Sequence, residues 1–244
     1  MGQHTSLRRG ELEQAFVLHR RAYRDTSALV ELFTLEHGRV GAVARGVRRR
    51  RSSLAAVLQP FQPLIVSWQA RGELATLTGA EGAGRALALT GRHLVSGFYA
   101  NELLLRMLGR EDPHPDLFPS YARLLGALAE HAAEGPALRG FERDLLAATG
   151  YGLLLERDAE GMPVERDAWY RYDLESGPTR VSRAAGPGVH VSGSALLALH
   201  HDHQTAADDP ALKRLMRAAL RLYIGDRPLK SREMYARYRS DQDE

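Results

Sequence analysis

The spacing of apolar residues changes near Gly84, and this change constrains the fold more than any other feature of the chain. Before Gly84, short apolar and β-branched runs alternate with turn residues, which is typical of β-strands. After Gly84, apolar residues recur about every three and a half positions, which is typical of amphipathic helices. The sequence therefore predicts an α+β protein, with a β-domain over residues 1–80 and a helical domain over residues 81–244.

Five runs in the first part of the chain predict β-strands, because each is short, apolar or β-branched and bounded by turn residues. These runs span residues 15–18, 28–34, 40–44, 64–68 and 74–78. A short helical segment over residues 54–58 lies between the third and the fourth run. This is the element order of an OB-fold, a five-stranded β-barrel that binds oligonucleotides on one face.

The second part of the chain predicts a helical domain with one interruption. Apolar residues repeat at helical spacing over residues 93–108, 119–132, 137–150 and 212–223, and residues 231–239 are predicted to form a short helix. Between about residues 152 and 193, glycine and proline instead separate short polar runs. This composition predicts a small, cysteine-free β/loop insertion with one or two hairpins.

The sequence contains no cysteine, which excludes disulfides, thiolate nucleophiles and cysteine-ligated zinc. It also lacks the glycine-rich nucleotide-binding motifs and the short catalytic motifs of metalloproteases and α/β-hydrolases. We therefore expect a protein without enzymatic activity, cofactor or metal.

One histidine cluster leaves a catalytic alternative open. His200, His201 and His203 are close enough in sequence to ligate zinc or nickel, which would fit a metal-dependent hydrolase. However, the cluster follows an apolar run at a predicted helix C-terminus, where the helix dipole favours histidine and the side chains face water. The second interpretation is favoured, because a short motif without its structural context is weak evidence.

The formal net charge of +3 conceals three segments, of which the first and the third are basic and the second is acidic. Residues 1–80 hold 12 basic and 6 acidic side chains, residues 81–210 hold 12 and 19, and residues 211–239 hold 9 and 2. Clustered positive charge produces a local field that attracts nucleic acids and other polyanions. The two basic segments therefore contain the candidate nucleic-acid contacts.

The first basic segment contains four consecutive arginines after the third predicted strand. Adjacent guanidinium groups repel one another unless an anion lies close by. Alone, such a run is more often a solvated loop. On an OB-fold, however, cations follow the phosphates of a single strand and aromatic rings stack on its bases. The predicted DNA contacts are Arg20, Arg21, Tyr23, Arg24, Arg39, Arg45, Arg48, Arg49, Arg50 and Arg51, with Tyr23 the aromatic residue expected to be exposed.

The second basic segment is predicted to be helical. Arg214, Arg217 and Arg221 are spaced i, i+3 and i+7, opposite the apolar stripe of the same helix. One face would then pack and the other would present positive charge to DNA. A solvated outer face explains the same spacing equally well.

The segment over residues 1–14 is polar, and no run of about 18 apolar residues occurs in the chain. We therefore expect a cytoplasmic protein that does not contact a membrane.

Nine short motifs occur in the same order as in one known family. They lie at residues 15–19, 23–27, 37–40, 44–46, 58–61, 101–104, 137–142, 150–152 and 228–233. Examples are His37-Gly38-Arg39-Val40, Asn101-Glu102-Leu103-Leu104 and Lys230-Ser231-Arg232-Glu233. The chain thus resembles the RecO family of bacterial recombination mediators, from about residue 16 to about residue 239.

The resemblance implies an N-terminal OB-fold, a helical C-terminal domain and no enzymatic turnover. RecO proteins bind single- and double-stranded DNA, anneal complementary strands, bind RecR and engage the C-terminal tail of single-strand-binding protein. With RecR, and often RecF, they help load RecA in gap repair and recombination. The resemblance therefore implies a cytoplasmic, nucleoid-associated DNA repair and recombination mediator. A stand-alone OB-fold RNA-binding module is the alternative, because it shares the barrel and the basic run.

The resemblance also carries roles to individual positions. Arg139 matches a family arginine that grips the acidic tail of single-strand-binding protein, which suits the bidentate geometry of guanidinium. Family members often have a second basic residue next to it, where this chain has Gly140, and Arg143 is the candidate substitute. Lys230-Ser231-Arg232 matches a family signature to which the sequence alone assigns no mechanism.

Some family members hold zinc with four cysteines in the insertion. At the first of these positions this chain has Asp158, and the lack of cysteine excludes that site. We expect the insertion to be held by its own packing, through Trp169, Tyr170 and Tyr172.

Overall fold

A computed structural model describes residues 7–50, 52–201 and 209–240. These residues form two compact units. The first contains the described residues up to Pro119 and those from Leu229 onward, and the second runs from Ser120 to Pro228. These units are defined by packing within the structure. They do not test the domain boundary predicted at residue 80, which stays a prediction.

The first unit is built on a closed five-stranded barrel with the strand order β1-β2-β3-β5-β4. Its strands are β1 (Arg8–Tyr23), β2 (Ser27–Thr34), β3 (Gly38–Ala44), β4 (Leu64–Ala70) and β5 (Ala75–Gly82). The pairs are antiparallel except for β3 with β5, and a short helix, α1 (Ser53–Val57), lies between β3 and β4. This topology confirms the predicted OB-fold.

The barrel closes because its long first strand bends. One half of β1 pairs with β2 and the other half pairs with β4. The register shifts between Val17 and His19 and again between Gly10 and Glu13, and such bulges increase the local twist and curvature of a strand. Alternate residues then point inward, so that side chains such as Val17 and Leu32 are fully buried.

Two further helices belong to the first unit, α2 (Gly91–Met107) and α7 (Lys230–Ser240), and a third, α3 (Leu117–Ala129), begins there. The Nδ2 atom of Asn101 on α2 donates a 3.0 Å hydrogen bond to the carbonyl of Leu18 on β1. Phe118 packs against Phe16 and Phe33, with ring centroids 5.5 and 5.4 Å apart. These contacts join α2 and α3 to the outside of the barrel.

The second unit combines helices with a small sheet. After the remainder of α3 come α4 (Glu134–Ala148), β6 (Trp169–Asp173), β7 (Gly177–Val181), β8 (Val189–Ser192), α5 (Gly193–His200) and α6 (Pro210–Ile224). The three strands form an antiparallel sheet in the order β7-β6-β8. The sheet lies within the segment predicted as a β/loop insertion. The helix α6 begins with Pro210, and the carboxylate of Asp209 caps it by accepting from the backbone N–H of Ala211 at 2.7 Å.

The insertion is held by two of the three aromatic residues expected to hold it. Tyr170 and Tyr172 are buried, and burial raises the pKa of Tyr172, whose hydroxyl donates to the carbonyl of Leu154 at 3.0 Å. The hydroxyl of Tyr170 accepts from the backbone N–H of Glu165 at 2.9 Å. Trp169 is 40% exposed, so the expectation that it packs inside the insertion was wrong. Adjacent residues of a strand point to opposite faces, which accounts for the difference from Tyr170.

None of the helices within the described ranges is long and apolar enough to cross a membrane.

Candidate nucleic-acid interface

The basic loop, which we define as residues 45–51 between β3 and α1, projects arginines from an anchored backbone. Val47 is 2% exposed and belongs to the barrel core. The backbone N–H of Arg48 donates to Thr26 at 2.9 Å, and that of Arg49 donates to Gly46 at 3.0 Å. The described arginines of the loop are all exposed, namely Arg45, Arg48, Arg49 and Arg50. Arg51 lies outside the described residues.

The turn between β1 and β2 lies against the basic loop. A guanidinium N–H of Arg48 donates to the carbonyl of Arg24 at 3.2 Å. The Arg24 guanidinium lies 5.1 Å from the ring centroid of Tyr23, which is within cation–π distance. Tyr23 is half-buried, and Arg21 is exposed two positions before it. The structure therefore brings together most of the predicted barrel contacts on one side of the barrel.

Two other predicted contacts have structural partners. A guanidinium N–H of Arg20 donates to the carbonyl of Leu58 at 3.1 Å, and it holds the end of the α1 segment against β1. Arg39 donates to the carbonyls of Leu105 and Leu108 at 2.5 and 2.8 Å, at the end of α2. Burial lowers the pKa of Arg39, and the Glu31 carboxylate, 3.4 Å from its Nε, opposes that shift. Arg39 thus joins β3 to α2, and its guanidinium serves the fold.

The predicted helical cations lie in the second unit, on α6. Arg214 and Arg217 are exposed. Arg221 donates two hydrogen bonds to Asp226 Oδ1, at 3.0 and 2.7 Å. Both groups of this ion pair are mostly exposed, so the pair contributes little to stability. On the opposite face of α6, Leu215 and Met216 are fully buried, as the predicted stripe requires.

Arg139 and Arg143 lie on α4, and both are mostly buried. Arg139 donates to Glu142 Oε1 at 2.5 Å, and its side chain is 12% exposed. Its buried Nε has no hydrogen-bond partner among the described residues. Arg143 instead donates to the carbonyls of Leu199 and His200 at 2.6 and 3.2 Å, at the C-terminus of α5. Of the two, Arg139 retains an unused donor and Arg143 is engaged in fixing α5.

Comparison with known proteins decides the family. Residues 11–85 match the family model described as recombination protein O N terminal, and residues 89–233 match recombination protein O C terminal. The chain belongs to the RecO family. The chain is 52% identical to the DNA repair protein RecO of Alkalilimnicola ehrlichii, over 92% of this chain and 90% of that protein. It is 51% identical to the DNA repair protein RecO of Nitrosococcus oceani, with 91% of each chain covered.

The RecO signature around Ser231 has a structural partner that sequence reasoning missed. The Glu102 carboxylate on α2 accepts from the backbone N–H groups of Lys230 and Ser231, each at 3.0 Å, and from the Ser231 hydroxyl at 2.9 Å. Arg106 donates to the same carboxylate at 2.8 Å. Burial raises the pKa of Glu102, but these hydrogen bonds outweigh it and hold that pKa below its usual value. Glu102 therefore caps the N-terminus of α7 from another helix.

In this RecO-family chain, Asp158 closes a tight turn of the insertion. Its Oδ1 atom accepts from the backbone N–H groups of Glu160 and Met162, at 3.0 and 2.8 Å. The backbone of Asp158 also bonds to that of Met162 at 2.8 Å. The carboxylate thus organises the loop at the position where the resemblance places a zinc ligand in other members.

The predicted histidine cluster is only partly described, because His203 lies outside the described residues. His200 Nε2 lies 2.7 Å from a Glu156 carboxylate oxygen, and the ring of His201 packs edge-on against that of His200. Within the described ranges, no three histidine, cysteine or acidic residues are grouped in a way that could hold a metal ion.

Proposed function

We propose that this RecO-family protein is a DNA repair and recombination mediator that binds and anneals single-stranded DNA without enzymatic turnover. The observation that carries the proposal is the basic loop, whose arginines are exposed beside the turn holding Tyr23 and Arg24 on an OB-fold. Within the described part of the chain, Arg45, Arg49 and Arg50 form no side-chain hydrogen bond or ion pair, so their donors are available to phosphates.

The physical basis is electrostatic and largely independent of base sequence. Each arginine that binds a phosphate releases condensed counterions, and this release favours binding at low salt. Positive side chains that reach two strands at once also lower the repulsion between them, which supports annealing. Binding of both single- and double-stranded DNA is part of the proposal, since phosphates are common to both.

Engagement of single-strand-binding protein is a second part of the proposal. That protein's tail ends in acidic residues and a carboxylate, which a guanidinium binds well. Arg139 supports this assignment because its Nε is buried and unsatisfied, and because the half-buried Leu138 lies next to it on the same helix. Cooperation with RecR, with RecA and, where present, with RecF rests on family membership, as does a cytoplasmic, nucleoid-associated location.

The test is a double variant of the basic loop, Arg49→Ala with Arg50→Ala. Both side chains are exposed, and neither has a partner within the described ranges, so the fold should be preserved. We expect a lower affinity for a labelled single strand and a salt dependence that is shallower by about 1.4 log units per decade of salt, because two contacts of ~0.7 each are lost. Fluorescence anisotropy across a salt series measures both quantities.

The matched control is Arg71→Ala with Arg85→Ala, which removes the same charge from exposed positions of the same unit outside the loop. An equal loss in the control, or an unchanged slope in the loop variant, would contradict the proposal. Competition with RNA of the same base sequence tests the alternative, since a clear preference for RNA would favour an RNA-binding module.

A further inference from the structure

The C-terminal helix α7 is strongly basic, and its basic side chains do not take part in its packing. Over Lys230–Ser240 it holds four basic residues and one acidic residue. Ser231 is its buried residue, and Tyr238 is half-buried. The four cations are all exposed, namely Lys230, Arg232, Arg237 and Arg239. No described carboxylate forms an ion pair with any of them.

Helical spacing places the exposed basic residues of α7 on two sides of the line along which the helix packs. Ser231 and Tyr238 are seven positions apart and define the edge that faces the rest of the first unit. On one flank, Arg232, Tyr235 and Arg239 are spaced i, i+3 and i+7, and we call these three residues the α7 row. On the other flank lie Lys230 and Arg237.

The α7 row has the composition of a single-strand contact. Tyr235 is 43% exposed, so an aromatic residue is accessible to solvent between two arginines in the row. Seven residues of helix place the two arginines about 10 Å apart along the axis. An exposed aromatic ring between cations allows base stacking together with phosphate binding.

The helix is held in place by contacts with other elements and not by its own propensity. An isolated helix of 11 residues is marginal in water, and α7 has little apolar surface to bury. The Glu102 carboxylate supplies the missing acceptor for the first N–H groups of α7, and Gly91 of α2 lies next to the Tyr238 ring. The fold therefore keeps a charged, solvent-facing helix ordered in the same unit as the barrel.

We propose that the α7 row is a second contact for single-stranded DNA, in which Tyr235 stacks on a base and Arg232 and Arg239 bind flanking phosphates. This inference rests on the proposed function and extends it to a helix outside the barrel. Stacking needs an unpaired base, so the tyrosine should matter for single strands and the arginines for both single strands and duplex.

The test compares Arg232→Ala with Arg239→Ala against a control of equal charge, Lys230→Ala with Arg237→Ala, in the full chain. We expect the row variant to lose about tenfold or more in affinity for a labelled oligothymidylate, and its salt slope to fall by about 1.4. The control should lose much less. Tyr235→Ala should lose about tenfold on the single strand and little on a duplex of equal length, whereas Tyr235→Phe should bind as the wild type does.

Equal losses in the row variant and its control would overturn the α7 row, because they would show a general effect of charge. Unchanged single-strand affinity in the row variant, or in Tyr235→Ala, would also overturn it. The basic-loop variant, measured on the same oligonucleotide, separates this result from the proposed function. If that variant loses affinity while the α7 row variant does not, the proposed function stands and only the second contact is rejected.

Discussion

Arg39 and Arg45 lie six positions apart, yet their environments are different. Arg39 donates to two carbonyls at the end of α2. Arg45 follows the end of β3 and is exposed. The partners of Arg39 lie 66 and 69 positions further along the chain, and no local pattern reveals them. Arginines that lie close together in sequence can therefore differ in role. Some form hydrogen bonds within the protein and others are exposed to bind an anion, and only the folded structure distinguishes them.

Replacement of Arg139 is expected to change both the stability of the fold and the binding of the single-strand-binding protein tail. Arg139→Ala removes the ion pair to Glu142, whose side chain is 1% exposed. We expect the free energy of unfolding to fall by roughly 1–3 kcal/mol, because a buried carboxylate loses a hydrogen bond from a charged donor. Binding of a labelled peptide with the sequence of the single-strand-binding protein tail should also weaken, and affinity for naked DNA should not change. Anisotropy and chemical denaturation measure these effects.

The matched control for this prediction is Glu142→Gln. It weakens the same ion pair but leaves the Arg139 guanidinium in place for the tail. We expect it to lower stability without weakening peptide binding. If both variants weaken peptide binding equally, Arg139 acts only through the fold.

Among the elements, α7 depends most on a single distant side chain. Glu102→Gln keeps one acceptor oxygen, but the amide nitrogen cannot accept from the backbone, and the charge near the helix N-terminus is lost. We expect amide hydrogen exchange over residues 231–234 to accelerate by about tenfold, since hydrogen bonds to a charged acceptor contribute roughly 1.5–3 kcal/mol. Exchange mass spectrometry on peptides from α7 measures this effect.

Glu233→Gln is the control for the exchange experiment. It removes one negative charge from the first turn of α7 itself, at an exposed position. Its effect should be small, because a solvated charge near a helix end contributes only tenths of a kcal/mol. Equal acceleration in both variants would show that charge near α7, and not the Glu102 cap, orders the helix.

Most elements were predictable because their burial is periodic. The five strands, the short helix before β4 and the helices α2, α3, α4 and α6 each follow from apolar spacing. Only residues 15–18 of β1 were predicted, since polar side chains such as Arg8, Glu11 and Arg21 flank them. Its pairing with β4 depends on bulges and on barrel closure. The basic loop was visible as a charge run, whereas the Glu102 cap joins residues 128 positions apart.

At the scale of the molecule, two carboxylates that accept several hydrogen bonds are expected to make the first unit sensitive to acid. Glu13 lies in β1 with its side chain fully buried. It accepts from the backbone N–H groups of Glu36 and His37, at 2.9 and 3.0 Å, and from Trp68 Nε1 at 3.0 Å. Burial raises the pKa of Glu13, but these bonds and one from Thr34 outweigh it, and the pKa is held below its usual value. Glu102 is shifted in the same direction, so both ionised carboxylates stabilise this unit.

The sign of these shifts predicts how unfolding depends on pH. A carboxyl with a lowered folded pKa contributes stability that is present above its usual pKa of 4.5 and is lost as pH falls through the folded value. The chain has two tryptophans, and Trp169→Phe leaves Trp68, in the barrel core, as the reporter of urea unfolding. In that background, we compare the free energy of unfolding of the protein with Glu102 and of its Glu102→Gln variant. The gap between these two values should be constant from pH 7 to about 5.5. It should narrow below about 4.5, since the carboxyl of Glu102 then becomes neutral too. A gap that stays constant down to pH 3 would show that Glu102 stabilises α7 without its charge.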